Sequence, residues 1–147
     1  MARSYDKNKD TVYKVEAFFA NEQDKMLAVL KQSIKDMIED ANATVAEGGR
    51  MRVDTGFLRA SGVGAINEIP KGESEGRERA EGETGIIYPY KSESLNVVLP
   101  KLKVGDTFYY GWTARYAKAR EYFDGFLEAA IQKWTQIVEN NIRRVKK

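Results

Sequence analysis

Cysteine and histidine, the two residue types behind much protein chemistry, do not occur among these 147 residues. Without Cys there is no thiol nucleophile, thiolate metal site or disulfide. Without His, neither a Ser-His-Asp triad nor a His-ligated zinc can be built within the chain. Any acid–base work falls to carboxylates, Lys or Tyr. The candidate carboxylates are Asp54, Asp106, Asp124 and the glutamates between Glu68 and Glu83. Such work needs paired carboxyl groups at a cleft. Asp54 and Asp106 instead precede Thr and stand near Gly, as turn residues do. Gly62-Val63-Gly64 lacks the third glycine and the following helix of a phosphate loop. The expectation is no catalytic residue, no cofactor and no metal, hence no enzyme.

Charge is nearly balanced, with 24 basic and 22 acidic residues giving +2. The basic end, Arg143-Arg144-Val145-Lys146-Lys147, suits the negative end of a helix dipole. Contact with nucleic acid through that helix is the alternative reading, although no aromatic residues interleave the charges. No apolar stretch approaches the roughly 18–20 residues of a membrane span. The start, Met1 to Lys7, lacks the apolar core of a secretory signal. A protein kept in the cytoplasm, away from membranes, is the default.

The elements that position these residues follow from periodicity. Residues 1–12 are polar and read as a flexible arm, and 13–147 as a single domain. Leu27, Leu30, Ile34, Met37, Ile38, Ala41 and Val45 recur at three- and four-residue steps, predicting a long amphipathic helix that stops at Gly48-Gly49. Its start is open: Thr11–Val15 fits a short strand, and Asn21 or Asp24 can cap a helix beginning later. Val63, Ala65 and Asn67 alternate with Gly64, Ile66 and Glu68 as a glycine-weakened strand, and Gly85 to Tyr90 reads as the strand returning from it. Between them, about 70–84 reads as a mobile acidic loop. From Glu68 to Glu83 six Glu face Lys71, Arg77 and Arg79, a net of −3.

Leu95 to Leu102 fits a helix interrupted by Pro100, or a strand over Asn96–Leu99. Thr107 to Trp112 is the strongest strand signal, with Phe108, Tyr110 and Trp112 on one face. Asp124 can cap a closing helix carrying Leu127, Ile131, Trp134, Val138, Ile142 and Val145. The predicted class is α+β: a long N-terminal amphipathic helix and a C-terminal helix packed on a small antiparallel β-sheet.

Two segments stand out. Val53-Asp54-Thr55-Gly56-Phe57-Leu58-Arg59-Ala60-Ser61 follows the long helix, and Leu102-Lys103-Val104-Gly105-Asp106-Thr107-Phe108-Tyr109-Tyr110-Gly111 leads into Tyr116-Ala117-Lys118-Ala119-Arg120-Glu121-Tyr122. Together they resemble the tail-completion and head–tail joining (neck, minor structural) proteins of tailed bacteriophages. In that family a long helix leads to PVDTG-x-L-R-x-S/N, then GDT-x-Y, then Y-A-x-x-x-E-Y-G and a closing helix. The likeness spans roughly residues 20–145. Arg52 stands where the family has Pro, and Phe123 where Gly is usual.

The recurrent positions fall on Asp54, Thr55, Gly56, Leu58, Arg59, Tyr116, Ala117 and Glu121, with an architectural or interfacial role. From the residues themselves, Asp54 or Thr55 can accept backbone N–H bonds in a turn. Gly56 can take positive φ, and Arg59 can brace a carboxylate. The resemblance implies a virion structural protein of the neck or tail end, assembled in the host cytoplasm. It would form a homo-oligomeric ring, most simply a hexamer, that completes the tail (a tail terminator) or joins it to the head. Tail-tube proteins and the head-side connector would be its partners, and genomic DNA would pass the lumen without specific binding. On that implication the acidic loop belongs near the lumen or at a contact between rings.

Overall fold

The computed structural model describes residues 3–71, 88–90 and 93–146, with side chains from residue 20 in the first segment and residue 95 in the last. Its elements are α1 (Arg3–Ala41), α2 (Phe57–Ala60), β1 (Gly62–Ile66), α3 (Glu93–Val98), β2 (Phe108–Trp112), α4 (Ala117–Asp124), α5 (Phe126–Gln132) and α6 (Trp134–Lys146). Short 3₁₀ turns occupy Val45–Glu47 and Leu99–Lys101. The α+β class is as predicted.

No Gly or Pro interrupts the sequence from Arg3 to Ala41, and α1 runs through all 39 residues, about 58 Å at 1.5 Å per residue. Residues 3–12, expected as a flexible arm, are therefore helical, and the alternative strand at Thr11–Val15 does not form. The helix also stops before Gly48-Gly49. Asn42 turns its side chain into the core, and Thr44 caps the 3₁₀ turn by accepting the Glu47 N–H. Gly48 closes that turn at φ +88.

β1 pairs antiparallel with β2, from Gly62 opposite Trp112 to Ile66 opposite Phe108. The predicted return strand at Gly85–Tyr90 is described only at its end. Tyr88, Pro89 and Tyr90 lie outside any strand, and 85–87 lie outside the described residues, as does most of the predicted acidic loop. Asn67, expected within the first strand, sits beyond its end at φ +61 and bonds Asp106 and Thr107 across the turn. The two strand glycines are spacers. A Cβ at Gly62 would collide with the Tyr110 hydroxyl, and one at Gly64 would stand 2.9 Å from Phe108 Cζ.

The core has two clusters joined by β2. Ile34 and Ile38 of α1 pack with Leu95, Leu99 and Leu102, touched by Phe108 and Tyr110. Met51, Phe57, Leu58, Ala114 and Phe126 form the other, touched by Trp112. The ambiguous Leu95–Leu102 segment resolves as helix followed by 3₁₀ turn, with Pro100 near the start of the turn, where its missing N–H costs nothing.

The single closing helix is a second correction. After Asp124 there are two helices, α5 and α6, separated at Lys133, and α4 precedes them across Gly125 at φ +63. Asp124 is not the cap, because its carboxylate is held by Arg120 at 2.7 and 2.9 Å. α6 runs antiparallel to α1: Lys133 pairs with Asp40 at 3.0 Å, and the buried Asn141 donates to Ser33 at 3.1 Å and Asp36 at 3.0 Å.

Candidate functional site

The recurrent positions of the two segments converge on one corner. Thr55 is 3% exposed, and its hydroxyl oxygen accepts the Phe57 N–H at 3.3 Å while its carbonyl accepts the Tyr88 N–H at 2.8 Å. Gly56 has φ +82, and a Cβ there would come within 2.6 Å of the Tyr88 carbonyl oxygen. Both constraints demand glycine. Leu58 turns into the second core cluster, and Asp54 stays exposed beside the corner.

Arg59 does brace a carboxylate. Its guanidinium lies 3.2 Å from Glu47 and stacks 4.2 Å from the centre of the Tyr90 ring. Its Nε is buried and finds no hydrogen-bond partner among the described residues. Burial raises the Tyr90 pKa above 10.0, and the nearby Arg59 charge opposes that rise.

The second segment closes on the first. The Tyr116 ring lies 6.3 Å from that of Phe57, and Ala117 packs against the same cluster. Glu121 accepts the backbone N–H groups of Leu127 at 2.8 Å and Glu128 at 3.0 Å, which caps α5 across the Gly125 break. That is the role expected of Asp124.

Ser61 ties the segments together. Its hydroxyl donates to the Leu58 carbonyl at 2.7 Å and accepts the Ala114 N–H at 3.2 Å, while its carbonyl accepts the Thr113 N–H at 3.1 Å. In sequence Ser61 is only the last residue of its motif, with no role assigned to it.

Asn42 is absent from the residues that the sequence singles out. Fully buried, it accepts from Trp112 Nε1 at 2.9 Å and donates to the Tyr110 hydroxyl at 3.3 Å. Burial raises the Tyr110 pKa above 10.0, against a smaller lowering by Asn42. An Asn inside an otherwise apolar-spaced helix end was the available signal.

Two of the candidate carboxylates, Asp106 and Asp124, are held in structural contacts. Asp106 is partly exposed, its pKa lowered by hydrogen bonds from Asn67 and from the Lys103 N–H, as a turn residue held ionised. The Asp124 side chain is nearly buried between Arg120 and Arg52, the latter at 3.4 Å. Among the described residues no three acidic side chains group as metal ligands, and no helix is long and apolar enough to cross a membrane.

Two apolar features face outward. Tyr122 and Phe123, at the end of α4, are 84% and 75% exposed, with ring centres 5.2 Å apart. Between α1 and α6 runs a groove of about 690 Å³, walled by Met26, Val29, Leu30, Val138, Ile142 and Val145. No protein-family model, no curated protein and no solved structure matches the chain.

Proposed function

We propose that the chain is a structural subunit of a tailed-phage virion, forming a ring at the neck or tail end that completes the tail or joins it to the head. It works by packing against copies of itself and its neighbours in the virion, not by catalysis. The ring is most simply a hexamer, with DNA passing its lumen.

The observation that carries this reading is the placement of large apolar side chains in solvent on separate elements, the α4 end and the α1–α6 groove. Exposed apolar patches mark interaction sites, and aromatic residues with Arg make the strongest anchors. Arg52, also exposed, pairs with Asp124, the residue that follows Phe123 in the chain. Two different patches on one chain offer contacts to more than one neighbour, and a head-to-tail contact closes as a ring when its rotation permits. The convergence of the two recurrent segments on one buried corner supports their architectural role.

Native mass measurement with negative-stain imaging of the purified chain tests the reading. Closed rings support it, and a chain that stays monomeric at all concentrations opposes it.

A second reading has its own observation: Arg143 and Arg144 are exposed in the last turn of α6. Binding to nucleic acid through them would give an electrophoretic shift that weakens steeply with salt. No shift at about 50 mM salt removes that reading.

A further inference from the structure

The groove between α1 and α6 has a feature that identifies its occupant. α6 runs back along α1 from Asp40 toward Glu22 and ends at Lys146, where Val145 and Lys146 share the groove with Glu22, Lys25 and Met26. α1 continues for nineteen residues beyond that point, Arg3 to Asn21, about 28 Å of helix at 1.5 Å per residue. In proteins most helical stability comes from the packing of an amphipathic face. The sequence here carries Val12, Val15 and Phe19 at three- and four-residue steps, in helical phase with Met26 and Leu30. The chain therefore pairs an apolar-spaced helical extension past the end of α6 with an open apolar trough beside that end. Met26 is 71% exposed, Leu30 38%, Ile142 39% and Val145 43%.

We infer that the outer turns of α1, residues 3–21, lie in the α1–α6 groove of a neighbouring copy. A trough between two antiparallel helices fits a third helix presenting anchors at i, i+3 and i+7, the spacing of Val12, Val15 and Phe19. Glu22, Lys25 and Lys146 rim the groove and keep it soluble when open. Extension and groove are different surfaces, so each copy gives one and receives one. The inference rests on the proposed ring and specifies its interface.

The absence of native cysteine makes the test direct. A chain carrying Val15→Cys is mixed with one carrying Val145→Cys, oxidised, and mapped by peptide mass spectrometry. The expected result is a disulfide joining the two substituted positions in a species of twice the chain mass. It should be absent when Val145→Cys is replaced by Lys118→Cys on α4. Met26→Asp with Leu30→Asp should abolish the cross-link while leaving the circular dichroism melt unchanged.

Rings that form without the Val15–Val145 cross-link overturn the groove assignment and leave the ring reading standing. A cross-link in a species that never exceeds a dimer supports the groove assignment and overturns the ring. No cross-link in a folded chain, whatever its mass, overturns the groove assignment.

Discussion

Glu121 reaches past Gly125 to bind the Leu127 N–H at 2.8 Å, so a carboxylate on one helix caps the next. The same side chain takes the Glu128 N–H at 3.0 Å. Glu121→Ala removes both bonds and should cost about 1–2 kcal/mol, the size of a lost cap. Thermal melting checks this. Glu121→Gln, which keeps an acceptor oxygen, should lose less.

Gly56 is fixed twice, by φ +82 and by the Tyr88 carbonyl oxygen, which would lie 2.6 Å from the Cβ of any other residue there. Gly56→Ala should destabilise by more than the roughly 1 kcal/mol of an ordinary Gly-to-Ala effect, because left-handed strain and a backbone clash combine. Denaturant titration measures it. A neutral result would mean the corner relaxes freely.

Asn42 is the polar centre of an aromatic group, and Asn42→Leu leaves the Trp112 Nε1 donor without its acceptor. The expected loss is about 1–3 kcal/mol, the cost of a buried unsatisfied donor. A changed Trp fluorescence spectrum should accompany it.

Alkaline pH should weaken the fold through Tyr110 and Tyr90. Burial raises both pKa values above 10.0, so the folded state holds the phenol protons more tightly than the unfolded chain. Their contribution is fully present below about pH 10 and is lost as pH rises through the folded values. Melting temperature measured upward from about pH 9 should fall, and for Tyr110→Phe it should fall less steeply.

The outward aromatic pair separates folding from assembly. Tyr122→Ser with Phe123→Ser should shift stability by no more than about 0.5 kcal/mol per site, as exposed substitutions do. If the pair anchors an interface, assembly should weaken by about 2 kcal/mol or more, roughly 30-fold. Unchanged assembly would remove the pair from the interface.

Periodicity made the long helix, the aromatic strand and the α+β class legible, since Ile34, Ile38 and Phe108 are set by local spacing. What it could not convey was tertiary choice. Nothing local says that Gly62–Ile66 pairs with Phe108–Trp112, more than forty residues on. The glycines read as weakening the strand are what admit Tyr110 and Phe108. Asp124 has the cap position in sequence, but across the left-handed Gly125 it is Glu121 that accepts the α5 N–H groups. In the corner, Thr55, Gly56 and Arg59 took the roles their chemistry suggested. Asn42 was hidden because its three partners lie 48, 68 and 70 residues away.

The central claim is closure into a ring, and the mass of the purified chain at rising concentration tests it most directly. One closed species is expected, about 100 kDa for six copies of 16.7 kDa, ring-shaped in negative stain. A particle that remains at 16.7 kDa throughout the series would contradict it.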